Sequence, residues 1–304
     1  MYDLIIIGGS AAGCSAAIYA ARRNLNFLLI TADWGGEVAR SGWVCNYLGF
    51  DRISGFELAN IFKKQAIENK SKICENTTVE KINIINNIFE IIEKSDTEPK
   101  KWQAKSIILA TGSQPRKLNL PGENELRGKG VSYCSTCDGP LYRNKRVIVI
   151  GGGNAGMESA LMLKDICEKV YLIEVTDVLR GEKIYMEKIA KEKKIVLMLK
   201  TKPLKIIGEN KVESIEVEIN NKKQTIKTDG IFIHVGTVPN SDMAPKEIAK
   251  DKFGYISTNK LCETNLPGFY AVGDVADLPF KQISIAVGQG TTALLSVAKY
   301  LESK

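Results

Sequence analysis

Histidine is nearly absent from this sequence: His234 is the one imidazole in 304 residues. Beside the pair Cys134-x-x-Cys137, one histidine cannot complete the usual four-ligand zinc site locally, so no metal site is expected. Long apolar runs are also missing. No stretch approaches the roughly 20 apolar residues of a membrane span. The N-terminal run Leu4 to Ile7 is too short for the apolar core of a secretory signal, and it leads straight into a glycine turn. A cytoplasmic chain without membrane contact is expected. No recognisable nucleic-acid module accompanies the net charge of +7, and nucleic acid is not expected as a partner. The lysines (Lys63, Lys64, Lys100, Lys101, Lys193 and Lys194 among them) are scattered and read as solvated surface, with a basic docking face for an acidic protein as the alternative. Low-complexity segments are absent.

What is present is ordinary in bulk. Hydrophobic residues make up 44% and charged residues 25%, a globular balance, and the length suffices for two domains with full cores. The seven cysteines are odd in number and dispersed, unlike a secreted disulfide framework. Cys14, Cys45, Cys74, Cys167 and Cys262 read as small hydrophobes. Cys134 and Cys137 alone are close in sequence and read as a redox dithiol, able to close a small disulfide ring. Asp138 follows at once, and a carboxyl there can donate or take the proton that thiol–disulfide exchange requires.

The chain starts with a βαβ pattern. The apolar run from Asp3 to Ile7 suits a strand buried on both faces; a glycine turn, a helix from Ala11 to about Arg22 and a strand from Asn26 to Ile30 follow. Trp34 to Glu37 reads as a turn, Asn46 to Phe50 as a loop, and Gly55 to about Asn69 as a helix. Residues 77–95 alternate as antiparallel strands do, and Ser106 to Ser113 is a strand ending in a turn. Gln114 to Gly122 holds two prolines and marks a boundary. The βαβ pattern then restarts with a strand from Arg146 to Ile150, a glycine turn, a helix from Gly156 and a strand from Val170 to Ile173. Further strands are expected near 195–199, 213–218 and 230–235, with His234 a strand residue, and a closing helix from Gly288 to about Leu301. Gly236 to Asn240 reads as the return crossing. The expected fold class is α/β: two Rossmann-like, three-layer ββα nucleotide-binding domains, the second inserted into the first.

Both glycine turns point to nucleotides. In the first, Gly8 supplies the tight turn and Gly13 permits close helix packing, while Ser10 replaces the middle glycine and has a hydroxyl that can donate to a phosphate. A pyrophosphate would sit on the helix N-terminus, where N–H groups and the dipole favour anions. The second turn has Gly151, Gly153 and Gly156 in full. Glu174, at the end of the next strand, can accept from ribose hydroxyls and would repel a 2′-phosphate; Val175 and Thr176 follow, and Arg180 is the nearest cation downstream. NADH therefore suits this site better than NADPH.

The stretch from Cys134 to Pro140 closely resembles the redox motif of low-molecular-weight thioredoxin reductases. Ala110, Thr111 and Gly112 resemble the A-T-G segment of that family. Gly273 and Asp274, with Lys281, Gln282 and Ile283, resemble its C-terminal flavin segment, and Gly35, Gly36 and Asn46 its isoalloxazine loops. The resemblance covers the whole chain. It extends to the C-terminal part of the alkyl hydroperoxide reductase flavoprotein subunit, which carries in addition an N-terminal thioredoxin-like extension; this chain starts directly at its first strand.

The resemblance implies FAD in a discontinuous domain, 1–115 and 245–304, and a pyridine nucleotide in an inserted domain that also bears the dithiol, 116–244. The FAD contacts it implies are Gly8, Ser10, Ala11, Ala12, Gly13, Gly35, Gly36, Glu37, Asn46, Ala110, Thr111, Gly112, Gly273, Asp274, Lys281, Gln282 and Ile283. Those to the pyridine nucleotide are Gly151, Gly153, Asn154, Ala155, Gly156 and Glu174. It implies a homodimer in which Cys137 faces the flavin, Cys134 attacks a thioredoxin or thioredoxin-like protein, Asp138 is the acid, and the inserted domain rotates to deliver the dithiol. Some positions depart from the family pattern. Its basic motif for the NADPH phosphate appears here as Glu174 to Arg180 with only the arginine kept, Glu37 stands where glutamine is common, and Cys45 to Leu48 replaces E-N-Y-P. The same disulfide reductase fed by reduced ferredoxin is the alternative, and a flavin redox sensor without turnover a minor one.

Overall fold

The computed structural model describes residues 1–41 and 43–304. The chain forms two compact units. One comprises Met1–Ser41, Cys45–Gln114 and Val238–Lys304, the other Gly42–Val44 and Pro115–Thr237. The units divide at Gln114/Pro115 and Thr237/Val238, within the stretches Gln114 to Gly122 and Gly236 to Asn240 that read as crossings in the sequence; the resemblance implies 115/116 and 244/245. Gly236 and Pro239 mark the return, and no composition shift separates 237 from 244.

In the first unit, strand Tyr2–Gly9 lies between Phe27–Trp34 and Lys101–Leu109, parallel to both, with Ile73–Cys74 beyond. Lys101–Leu109 then pairs antiparallel with Ile88–Glu93, which pairs with Val79–Ile85, while Phe269–Ala271 runs parallel along its C-terminal part. Leu4, Ile5, Ile6 and Ile7 are all buried, as expected of a strand covered on both faces. Their alternation divides two cores. Leu4 and Ile6 pack with the alanines of helix Ala11–Arg22 and with Ala293, Leu294 and Val297 of helix Ile283–Glu302. Ile5 and Ile7 pack with Ile82, Phe89 and Ile91 of the antiparallel strands. Ala12, Ala16 and Ala20 present almost no side chain, and Gly290 would put a Cβ within 2.1 Å of the Ala12 carbonyl oxygen, so the two helices approach closely.

The second unit repeats the design. Its five-stranded parallel sheet runs Val131–Ser132, Gly230–Ile233, Arg146–Ile150, Lys169–Ile173 and Ile195–Met198. Val147 and Val149 face helix Asn154–Leu163 in one core, while Ile148 and Ile150 face an antiparallel three-stranded sheet in another. That sheet, Thr201–Ile207, Ser214–Ile219 and Lys222–Lys227, is only partly visible in the sequence. Lys222–Lys227 is almost wholly polar, an edge strand held by backbone pairing.

The structure departs from the sequence reading at three further places. Trp34 ends a strand and Gly36–Arg40 is a short helix where a turn is expected. The closing helix begins at Ile283, not Gly288, because Gly288 and Gly290 are carried inside a helix whose apolar face is buried. His234 lies one residue beyond its strand.

Candidate active site

The dithiol is built on one turn. Ser132 pairs opposite Phe232 at the sheet edge, and the chain then folds into helix Ser135–Asp138 and a 3-10 turn, Gly139–Tyr142. Cys134 is the helix N-cap, and its Sγ accepts from the Cys137 N–H at 3.2 Å. Helical spacing brings the two Cα atoms to 5.3 Å, and the cysteines are joined as a disulfide. Asp138 follows in the same turn. The Ser132 hydroxyl donates to its Oδ2 at 2.6 Å, while Oδ1 is buried with no hydrogen-bond partner among the described residues. Burial pushes this carboxyl above the usual aspartate range, and the Ser132 bond offsets that in part. Asp138 is thus a half-buried acid, next in sequence to one of the sulfurs, disposed to keep a proton. Nothing in the sequence marks Ser132, which lies on a two-residue strand six positions from Asp138.

Both glycine turns join a strand to a helix. A Cβ at Gly13 would lie 1.8 Å from the Gly8 carbonyl oxygen, and one at Gly156 equally close to that of Gly151, so both helices pack on their strands through glycine. Neither helix has a side-chain N-cap bond or an acidic residue in its first turn, which leaves first-turn N–H groups for an anion. At Gly153 the nearest atom to an added Cβ is Arg180 O, 3.9 Å away, so the middle glycine faces open space that a pyrophosphate can enter. Both turns therefore fit a dinucleotide. In the first, the Ser10 hydroxyl donates to Gly35 O at 2.7 Å. Its proton tethers the Gly35–Gly36 segment, and the backbone is what the turn offers an anion.

Glu174 is engaged with its own turn. Oε2 accepts from Gly152 N–H at 2.7 Å, and Oε1 from the N–H and hydroxyl of Thr176, each at 2.9 Å. Burial works against the charge, but these bonds outweigh it and hold the carboxyl below the usual glutamate range. A fixed negative charge therefore stands at the strand end, with lone pairs remaining for ribose hydroxyls. Asn154 receives Glu182 N–H on its Oδ1 at 2.8 Å, pinning the start of the helix at Lys183–Lys191. Ala155 lies in the first turn of helix Asn154–Leu163.

In the first unit Ala110, Thr111 and Gly112 follow strand Lys101–Leu109. Asn240 holds this segment, donating to Thr111 O at 2.8 Å and through its N–H to Gly112 O at 2.9 Å, while the Thr111 hydroxyl donates to Asn240 O at 2.6 Å. Gly112 has φ +69° and no heavy atom within 4 Å of where a Cβ would stand. Asp274 is in the short turn Gly273–Val275, and Gly273 N–H donates to Gln289 at 2.7 Å. Burial raises the Asp274 carboxyl, Lys281 lowers it and Glu37 raises it again. Lys281 donates to Asp274 O and Ala276 O, and Asn46 donates to Gln282, the residue that caps the helix starting at Ile283. Ala11 and Ala12 are buried in the first helical turn. These groups, with the open face at Gly112, fit the flavin nucleotide that the sequence pattern implies. Asn240 and Gln289 carry no sequence signal, since each acts on backbone far away in the chain.

Among the other cysteines, Cys14, Cys167 and Cys262 are buried. Burial pushes the Cys14 thiol up to about 12 and the Cys167 and Cys262 thiols to about 11, so they behave as apolar side chains. Cys45 is exposed and Cys74 half-buried, hydrogen-bonded to Thr77. No helix among the described residues is long and apolar enough to cross a membrane.

Residues 2–290 match the family model of the pyridine nucleotide-disulphide oxidoreductases. The chain belongs to that family. It is 38% identical to the thioredoxin reductase of Treponema pallidum, over 99% of this chain and 98% of that protein. It is 34% identical to an alkyl hydroperoxide reductase subunit of Escherichia coli, covering 99% of this chain and 58% of that polypeptide. The crystal structure of thioredoxin reductase from Streptococcus pyogenes superposes with a TM-score of 0.92 at 33% identity, covering 100% of this chain and 99% of the other. This oxidoreductase is a disulfide-reductase flavoenzyme with two Rossmann-like domains, and its family implies FAD and a pyridine nucleotide.

Proposed function

We propose that this oxidoreductase takes electrons from NADH and delivers them, by way of FAD and the Cys134–Cys137 disulfide, to the disulfide of a thioredoxin or thioredoxin-like protein. In this reading it works in the cytoplasm as a homodimer. The carrying observation is the disulfide on a single helical turn with the half-buried Asp138 next to it. The turn at Gly8–Gly13, the Gly112 segment and the Asp274–Ile283 segment would hold FAD, which when bound supplies two-electron transfer between a pyridine nucleotide and a disulfide. The turn at Gly151–Gly156 with Glu174 would hold the nucleotide.

The chemistry assigned to the chain's own residues is thiol–disulfide exchange. Reduction of the Cys134–Cys137 bond consumes two electrons and two protons and leaves two thiols. Cys134 is the attacking group in this reading, as the resemblance implies, and the Cys137 N–H points at its sulfur. Its sulfur bonds to one partner sulfur as the partner's S–S bond breaks, and the departing thiolate takes a proton from Asp138. Cys137 then returns its proton to Asp138 and attacks Cys134 Sγ, re-forming the internal disulfide as the mixed S–S bond breaks, and the second partner sulfur leaves as a thiolate that takes from solvent the proton Cys134 gave up. Ser132 keeps Asp138 oriented throughout.

Glu174 supports NADH as donor, since a fixed negative charge at the strand end would repel a 2′-phosphate. Anaerobic stopped-flow mixing of the oxidised holoenzyme with NADH and with NADPH tests this. NADH should reduce the flavin about 10²-fold more efficiently, and Glu174→Gln should narrow the gap by about tenfold by removing a charge repulsion. Equal efficiencies in the wild type overturn the donor assignment. Reduction by ferredoxin and by neither nucleotide would establish the alternative. Thioredoxin reduction that survives Cys134→Ser would overturn the exchange scheme.

A further inference from the structure

Ser135 lies between the two cysteines, and its hydroxyl turns inward. The residue is 5% exposed. Its Oγ is hydrogen-bonded to Ser159 Oγ and, at 2.7 Å, to His234 Nε2. Ser159, also 5% exposed, belongs to the helix that follows the second glycine turn. His234 follows strand Gly230–Ile233, next to the central strand, and its backbone N–H donates to Ile150 O at 2.8 Å. Its carbonyl oxygen lies against Gly151, only 2.2 Å from where a Cβ on that glycine would be. The hydrogen-bonded chain thus ties the dithiol turn to both rigid sides of the nucleotide turn. No step of the exchange chemistry uses any of the three side chains.

The protons can be placed consistently. Burial pushes His234 down to about 4, so the imidazole is neutral at neutral pH. Ser159 then donates to Ser135, and Ser135 donates to Nε2, with the imidazole proton on Nδ1. A four-residue helix does not hold its own shape in water, because nucleation is unfavourable and little propagation follows. Its geometry must come from anchors. Ser132 anchors the near side of the turn through Asp138 and the Cys134 N–H, and Ser135 anchors the inner side.

We propose that Ser135, Ser159 and His234 form a positioning network that keeps the reduced Cys134–Cys137 turn in ring-closing geometry and thereby makes the dithiol a stronger reductant. The proposal rests on the reading of Cys134 and Cys137 as a cycling dithiol. Closing the ring removes two electrons and two protons from the thiols. A turn already held in the closing geometry loses less conformational freedom when the bond forms, so the disulfide is favoured over the dithiol.

The test is equilibration of the holoenzyme, without air, against mixtures of reduced and oxidised dithiothreitol. The two thiols give their electrons and protons to oxidised dithiothreitol, whose S–S bond breaks as the Cys134–Cys137 bond forms. Acid quenching, maleimide alkylation and mass analysis of the Cys134–Cys137 peptide give the equilibrium constant. Ser135→Ala and His234→Leu should each lower that constant about fivefold to tenfold, and tenfold is an upward shift of about 30 mV for a two-electron couple. His234→Gln, which keeps a hydrogen-bonding group near the Nε2 position, should return it to within about twofold of wild type, a distinction that loss of packing alone would not make. The double variant Ser135→Ala/His234→Leu should differ little from either single one, because both cut the same chain. Constants within about twofold of wild type in folded Ser135→Ala and Ser159→Ala overturn the network, whether or not His234→Leu folds. The measurement needs neither nucleotide nor protein partner. A wild-type dithiol that never exchanges with dithiothreitol overturns the redox reading and the network together, whereas normal exchange with unchanged variants overturns the network alone.

Discussion

His234 shows how one half-buried side chain sets a pH limit on the molecule. Its folded pKa of about 4 lies below the ordinary value of 6.5 because burial disfavours the charged imidazolium. The unfolded chain therefore binds the proton first as pH falls. The neutral, half-buried histidine contributes stability that is fully present above about 6.5 and is lost as pH falls toward 4. The difference in unfolding free energy between wild type and His234→Gln should accordingly change by roughly 3 kcal/mol between pH 7.5 and pH 4, wild type losing more. Denaturant melts at both pH values check this, and a difference that does not vary with pH would contradict it. The identity of His234 is plain in the sequence, and so is its apolar setting. Its hydrogen bond to Ser135 is not, because the two are 99 positions apart and meet only through the sheet. Asp138 is similar: its place after Cys137 is legible, while the burial that lets it keep a proton is a property of the fold.

At the scale of elements, the two outer glycines of a nucleotide turn and its middle glycine have different duties. Gly156→Ala would force a Cβ to 1.8 Å from Gly151 O, so helix Asn154–Leu163 must move off its strand. A loss of about 3 kcal/mol or more in stability is expected. Gly153→Ala meets nothing nearer than 3.9 Å and should leave the melting temperature nearly unchanged while weakening pyridine-nucleotide affinity by about tenfold or more. Thermal melts beside nucleotide titrations separate the two. Similar affinity in Gly153→Ala and wild type would remove the turn from the nucleotide site. The elements that carry this site are legible because each combines an unbroken apolar run with a glycine turn. Lys222–Lys227 is not, since its polar residues pair through backbone and leave no apolar alternation to read, and in Thr201–Ile207 a register shift between Pro203 and Lys205 interrupts the alternation.

On the scale of the whole molecule, each unit has its own pair of cores on either face of its main sheet, mixed in the first unit and parallel in the second. Residues 115–237 expressed alone should therefore unfold in one cooperative transition and retain the oxidised Cys134–Cys137 pair. Circular dichroism melts and thiol counting would show it. A chain without a transition would mean that this unit depends on the rest for its fold.

Sequence alone determined the parts whose physics is local: two glycine turns, the apolar strands before them, a C-x-x-C pair followed by an acid, and the acid at Glu174. Spacing of a few residues is enough to bring those groups together. Tertiary structure decided what long-range packing decides. It gave the Ser10 proton to Gly35, engaged Glu174 with Gly152, and joined Ser135 to Ser159 and His234. Those bonds form between residues that no periodicity links. Burial then gives Asp138 and His234 their altered affinities for protons, because the surrounding fold has removed the water that would stabilise their charged forms.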